Sequence, residues 1–558
     1  MAEHHNDNMP TTENEKTAES HMSEKGTTAE HVEGLENINL SDGSNENLHK
    51  KAGIAVIRQQ HTIPATGERM TTTKWEYIFF CVFYFSLNGA PIGGNGGALR
   101  QKLTNLEFPN DIVQWGGQSL PLNSMLLDIS GISFAVQLFV LLTIGPYADY
   151  GNWRPWIMIV AQSVLYICQF AMIGMSKASQ WQAAQALYVT GSIAASVANA
   201  FYAATFPGLV RDLPKLIRSE QEVVLGTKTP EEHADLDGYE RSKLYNLCNI
   251  TGSALVVITY AIAVGISAAI GFSTDEELIK TYRVLMGYFG ALTFICTVPF
   301  FLAQKHRPGQ KIPEGTKWWL VGPTQVWSAA KSTRHLKQTL LYLIAYFMLQ
   351  ETFGTYFSVT GILQNEVIHY SPLLLNAMSL VADLSGGSGT VFVLVLQKKF
   401  RFSIKAGVFY GACMTLVPSL FGAIGYHTNV IGFHHTWAFW LAQCWNFQTA
   451  AWGSYGTTMI SEVVPAPKAF MFFALFNTVN KTSGLIGPFI SSAIIARAGG
   501  VTSACYWFIF GMGAVGVITL WFVDTDKAKR DNQAYLEREA RELYGESQTD
   551  AKVRQESI

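Results

Sequence analysis

Four ionisable residues lie deep inside long apolar stretches of the chain: Asp128, Glu351, Asp383 and Lys481. A charge at the centre of a membrane-spanning helix costs at least ~2.5 kcal/mol on insertion scales, so such groups face a cavity or a partner. Counted inward from the segment ends at 1.5 Å per residue, Glu351 and Lys481 sit ~20 Å deep and Asp383 ~15 Å deep, near a bilayer midplane. An ammonium at that depth suits a substrate carboxylate. Asn477 stands four residues before Lys481 and shares its helix face, giving a polar stripe that suits the wall of a central cavity. Lys481, Asn477, Glu351 and Asp383 are therefore the candidate substrate-binding residues. A buried ion pair of Lys481 with Asp383 or Glu351 that only fixes packing is the plainer alternative. A third reading makes Glu351 or Asp383 the carrier of a coupled proton.

A second group marks segment ends. Gly145-Pro-Tyr-Ala-Asp149-Tyr-Gly151-Asn-Trp-Arg154 is a tight turn squeezed between two apolar segments. It resembles the signature loop of the major facilitator type, with the second glycine one position early. Small residues there let helices approach closely, and an Asp is stabilised against a helix N-terminus, whose dipole favours negative charge. Arg211-Asp212 closes the fourth segment and Ser461-Glu462 the tenth, at equivalent places. Asp149, Arg154, Arg211 and Glu462 are the candidate gating residues, making and breaking ion pairs as two halves rock. Interfacial anchoring without gating, and for Asp149 an ordinary capped turn, are the alternatives.

These residues need long helices to hold them. Of 558 residues 49% are hydrophobic and 15% charged, below the usual quarter for a soluble domain. A hydrocarbon core of about 30 Å needs roughly twenty apolar residues per helix. Twelve segments meet that length, near 75–93, 122–146, 155–175, 181–206, 244–272, 282–302, 338–359, 373–396, 404–426, 434–460, 468–496 and 503–523. The expected organisation is a polar, disordered N-terminal tail over 1–70, a six-helix half over 71–302, a basic linker over 303–337, a second six-helix half over 338–523 and a tail over 524–558. Lys and Arg number roughly nineteen in the even-to-odd connections against roughly six in the others, which places both termini in the cytosol. Leu244, Asn246, Asn249 and Thr251 match Leu475, Asn477, Asn480 and Thr482 in order and spacing, the mark of two related halves. The fold class is thus an all-α polytopic membrane protein of major-facilitator-like architecture.

Other chemistries find little to stand on. Net charge is -2 and no basic stripe appears, so no nucleic-acid partner is expected. The seven cysteines fall singly inside apolar segments with no metal-ligand spacing, and no cofactor or metal is expected. No nucleophile constellation or phosphate loop suggests an enzyme. His369, His427, His434 and His435 read as interfacial residues rather than pH sensors. The amides Asn88, Gln137, Gln350, Asn376, Gln443, Asn446 and Gln448 read as interhelical hydrogen-bonding groups.

Several stretches of the second half carry a family likeness: Leu341-Tyr-Leu-Ile-Ala-Tyr-Phe347, Val463-Val-Pro-Ala-Pro-Lys468, Phe472-Phe-Ala-Leu-Phe476 and Lys481-Thr-Ser-Gly-Leu-Ile-Gly-Pro488. They resemble the autophagy-related protein 22 family of vacuolar effluxers. The resemblance implies a multi-pass protein of the vacuole membrane that returns amino acids, of the leucine, isoleucine and tyrosine class, to the cytosol by alternating access. Its partners would be a small-molecule substrate and the bilayer. The glycine-rich run Gly89 to Gly97 departs from the family. A plasma-membrane exporter of another metabolite and a receptor or scaffold without flux are the competing readings. Gly484 and Gly487 allow close helix contact, and Pro488 is expected to kink its span.

Overall fold

In lipid a backbone can satisfy its own N–H and C=O groups only as helix or closed barrel. The computed structural model of this chain takes the helical solution. It describes residues 70–88, 92–148, 152–307, 336–400, 402–465 and 484–538, with isolated positions between 327 and 331 and between 472 and 480. The expected N-terminal tail, most of the expected linker and the last part of the C-terminal tail lie outside the described residues.

The first half comprises α1 (Lys74–Asn88), α2 (Gly94–Glu107), α3 (Leu122–Ile144), α4 (Arg154–Ala171), α5 (Trp181–Arg211), α6 (Pro214–Val224), α7 (Pro230–Ile270) and α8 (Asp275–Ala303). The second comprises α9 (Lys337–Val367), α10 (Pro372–Phe400), α11 (Ile404–Gly425), α12 (Thr436–Val463), α13 (Ile486–Arg497) and α14 (Tyr506–Trp521). Among the described residues eight helices are long and apolar enough by themselves to cross a membrane: α3, α4, α5, α7, α8, α10, α11 and α14. Helices α9 and α12 are as long, 31 and 28 residues, but more polar. With α1–α2 and α13 they complete a polytopic bundle of about twelve spans in two halves, each span needing roughly twenty residues.

The first span departs from its expected outline. The chain is helical to Asn88 and again from Gly94, so the run expected to end a helix instead opens a second one, α2. Glycine is among the poorest helix formers, which fits a helix restarting there rather than running through. A hairpin follows, β1 (Ile112–Trp115) against β2 (Gln118–Pro121), turning on Gly116 and Gly117. Both glycines have positive φ, +59° and +80°, as a two-residue turn of this hand requires.

Apolar packing divides the molecule in depth. On the side opposite the termini one buried cluster draws on both halves, joining Phe85, Leu126, Tyr282 and Phe289 to Tyr356, Met378, Phe439 and Tyr506. Toward the start of α1 and the end of α14, the buried clusters among the described residues lie within single halves: Phe80, Phe83, Phe201 and Phe300 in the first, and Tyr342, Trp452, Met459 and Phe476 in the second. Between the halves, α10 packs along α7 and α13 along α3. Within the second half α10 meets α12 at Gly389, where an added Cβ would lie 2.1 Å from the Phe447 carbonyl oxygen. Gly389→Ala is expected to cost about 1–3 kcal/mol by forcing the two backbones apart. A lowered unfolding midpoint of the purified protein is the readout.

Candidate functional site

Glu351 sits at the fifteenth position of α9 and is 1% exposed. Among the described residues its carboxylate meets backbone N–H groups and no ammonium. Oε2 accepts the Gly484 N–H and Oε1 the Gly487 N–H, each at 2.5 Å, with the Leu485 and Ile486 N–H groups directed at it as well. These are the orphan donors at the start of α13, where the helix dipole favours an anion. The chain reaches that start through Gly484 at φ +96°, a conformation costly for any residue with a Cβ. The expected kink therefore falls ahead of Pro488, which occupies the first turn of the new helix, where a missing N–H is tolerated. Gly487 permits the approach, since a Cβ there would lie 1.7 Å from Thr355 Oγ1 and 2.9 Å from Glu351 Oε1.

Of the other candidates at depth, Lys481 and Asn477 lie outside the described residues. Asp383 is exposed, on α10 near Tyr260 of α7, where the two halves meet. Asp128 on α3 bonds the Ser492 side chain of α13 across the same divide. The structure thus places Asp383 and Glu351 in different settings, one open at the seam and the other enclosed against backbone. Several span amides bond between helices: Gln350 Oε1 accepts the Trp452 indole at 3.1 Å, and Gln443 donates to Gln364 at 3.4 Å.

At the rim near the start of α1, two ion pairs of the candidate residues lie within single halves. Arg211 Nε lies 3.2 Å from Asp212 Oδ1. Arg154 and Arg307 both flank Gly208, so Arg154 belongs to the same corner. Glu462 in the other half pairs with Lys529 at 3.4 Å, from a helix over 525–538 that packs Ala528 into the core of that half. Asp149 lies outside the described residues.

Sequence reasoning missed the strongest cluster at this rim. Arg307 makes a two-pronged contact with Glu76, Nη1 to Oε1 at 2.6 Å and Nη2 to Oε2 at 3.0 Å, and donates from Nε to Asp212 Oδ2 at 2.8 Å. Glu76 and Asp212 are fully buried. On the opposite face is a seam of which only Asn376 was expected, as an interhelical hydrogen-bonding amide. There Asn95 and Asn376 exchange amide hydrogen bonds at 3.0 and 3.1 Å, Asn365 donates to Gln101 at 2.9 Å, and the Tyr282 hydroxyl donates to the Tyr370 carbonyl at 2.7 Å. Each of these bonds joins the first half to the second. The Asn95 and Gln101 members sit on α2, whose existence the sequence did not suggest.

A family sequence pattern described as "Vacuole effluxer Atg22 like" matches residues 53–533. Autophagy-related protein 22 of Chaetomium globosum is 22% identical over 484 residues, covering 76% of this chain and 72% of that one. Autophagy-related protein 22-2 of Sclerotinia sclerotiorum is 21% identical over 491 residues, with the same two coverages, 76% and 72%. Among solved structures, a D-xylose-proton symporter superposes with a TM-score of 0.51 at 16% identity, over 81% of this chain and 99% of that one. That likeness speaks to the fold, and the fold is the major facilitator type.

Proposed function

We propose that this chain, which belongs to the family of Atg22-like vacuole effluxers, carries amino acids from the vacuole lumen to the cytosol by alternating access. It is a multi-pass membrane transporter and not an enzyme. The observation that carries the alternating-access reading is the division of the core. Among the described residues one apolar cluster joins the halves at one end, while the clusters toward the start of α1 and the end of α14 stay within single halves. Such packing suits a carrier shut on one face and parted on the other, with a site between two repeats near the midplane. The surplus of Lys and Arg in the connections on the side of the termini supports a cytosolic position for that side.

In this reading Lys481 meets the substrate carboxylate, Asn477 shares its face, and Asp383 offers a carboxylate at the seam for the substrate's amino group. Glu351 contributes by fixing the start of α13. The rim charges Asp149, Arg154, Arg211 and Glu462 act when the halves close on the cytosolic side. Arg211 and Glu462 each have a partner within their own half while that side is parted, and exchanging those partners across the gap would latch it.

The test is counterflow of labelled leucine, isoleucine and tyrosine into vesicles containing the purified protein. Wild type is expected to show saturable exchange. Lys481→Ala is expected to weaken apparent affinity about 10- to 100-fold, the loss of one charge-assisted contact of ~1.5–3 kcal/mol. Undiminished flux in the variant removes Lys481 from the site, and absent wild-type flux in intact vesicles removes these amino acids as cargo.

A further inference from the structure

We propose that a cavity between the two halves, on the face opposite the termini, is a second binding site that takes the primary ammonium group of a small organic cation. The cavity measures about 880 Å³ and is walled by the hairpin and the start of α3, the end of α9, and the loops before α12 and α14. Its polar lining includes Asp111, Glu366, Asn105, Asn123, Tyr370 and His434, and neither Lys nor Arg. The acidic pair Asp111 and Glu366, with no Lys or Arg in the lining, disfavours an anion and suits positive charge.

The shape of that charge follows from Asn123. The residue is 8% exposed, and its Nδ2 donates to Thr502 Oγ1 at 3.0 Å. Its Oδ1 is buried and has no hydrogen-bond partner, while the side chain itself lies against Glu366. An unmatched buried acceptor is costly, and beside two carboxylates it asks for a donor-rich ligand. An ammonium group has three donors and no acceptor. The carboxylate of Asp111 is held in place by Asn105, whose Nδ2 donates to Oδ1 at 3.0 Å. His434 is tethered through Nε2 to the Gly425 carbonyl at 2.7 Å. The nearby Lys102 ammonium does not fill the site, for it bonds Asp275 at 2.9 Å and lies over the Tyr370 ring. Among the described residues no group of three or more His, Cys, Asp or Glu is placed to hold a metal ion, and the ligand proposed is an organic cation.

Because both halves wall the cavity, its occupant ties them together on this face. Binding therefore favours the form that is shut here, and the ligand leaves as the face opens. The site needs only the closed face, and depends neither on Lys481 nor on which cargo crosses.

Full-length protein in lipid nanodiscs, titrated calorimetrically without any gradient, tests this apart from transport. The probes are 3-methylbutylamine, which keeps the amine of leucine, 4-methylpentanoate, which keeps the carboxylate, and leucine itself. The amine is expected to bind and the carboxylate not to. Glu366→Gln and Asp111→Asn are each expected to weaken amine binding at least about tenfold. Asp111 is exposed with φ 55°, a conformation asparagine accepts readily, so Asp111→Asn preserves the loop and decides the matter should Glu366→Gln misfold. Leucine weakened in parallel makes the cargo the natural source of the ammonium; leucine unaffected makes it a separate amine; either supports the site. Amine binding unchanged in folded Asp111→Asn and Glu366→Gln protein, or matched by 4-methylpentanoate, overturns it.

Discussion

Glu351→Ala is expected to give a protein that loses about 3 kcal/mol or more of stability and all measurable counterflow. Two hydrogen bonds from N–H donors to a carboxylate disappear, each worth ~1.5–3 kcal/mol, and the donors at the start of α13 are left without partners in a water-poor interior. Glu351→Gln separates this positioning role from the others. The amide keeps one acceptor oxygen but turns its own donors toward the remaining N–H groups, so roughly half the stability loss is expected, with flux falling alongside the unfolding midpoint. A Gln variant as stable as wild type that exchanges substrate yet fails to accumulate it against a gradient would instead make Glu351 a proton carrier. Thermal unfolding of the purified protein, run beside counterflow, distinguishes the two.

That residue also shows how much of the site was legible in the sequence. Depth could be counted, and Glu351 is deep. Its partner could not, because a helix N-terminus is not a residue type and leaves no side chain to find. The only signal was indirect: Gly484, Gly487 and Pro488 in one short stretch, read as a close contact and a kink. What they permit is a break at Gly484 followed by a new helix start aimed at a carboxylate. Eight of the spans follow from apolar run length alone, since lipid leaves the backbone so few alternatives, whereas the more polar α9 and α12 do not. Short polar helices escape that reasoning. α2 carries Arg100, Gln101 and Lys102 and has a mean hydropathy typical of a loop, so nothing in its composition marks it as the element that seals one face. Its role depends on Asn376 and Asn365, more than 260 residues away in the chain.

Arg307 makes the same point at the other face and leads to the second large expected effect. In the sequence it is one of several basic residues in a polar connection, indistinguishable from Lys305 or Lys311. In the fold it draws together the start of α1, the end of α5 and the chain leaving α8, also donating from Nη2 to Thr72 Oγ1 at 2.9 Å. Arg307→Ala strands Glu76, leaves Asp212 with Arg211 alone, and, both carboxylates being fully buried, is expected to cost about 3–5 kcal/mol, the usual penalty for leaving a buried charge unpaired. Arg307→Lys keeps the charge but not the planar fork that serves Glu76 and Asp212 at once, so only partial recovery is expected. The decisive variant neutralises all three members together, Arg307→Met with Glu76→Gln and Asp212→Asn. If the penalty of the alanine variant comes from stranded carboxylates, the triple variant regains most of the lost unfolding midpoint, because removing a whole buried ion cluster is often neutral. If the triple variant is as unstable as Arg307→Ala, the cluster contributes through its hydrogen-bond geometry and not through charge balance. The gating proposal adds a further consequence. A triple variant that folds well still has Arg211 without its Asp212 carboxylate, so its counterflow is expected to change while its stability does not.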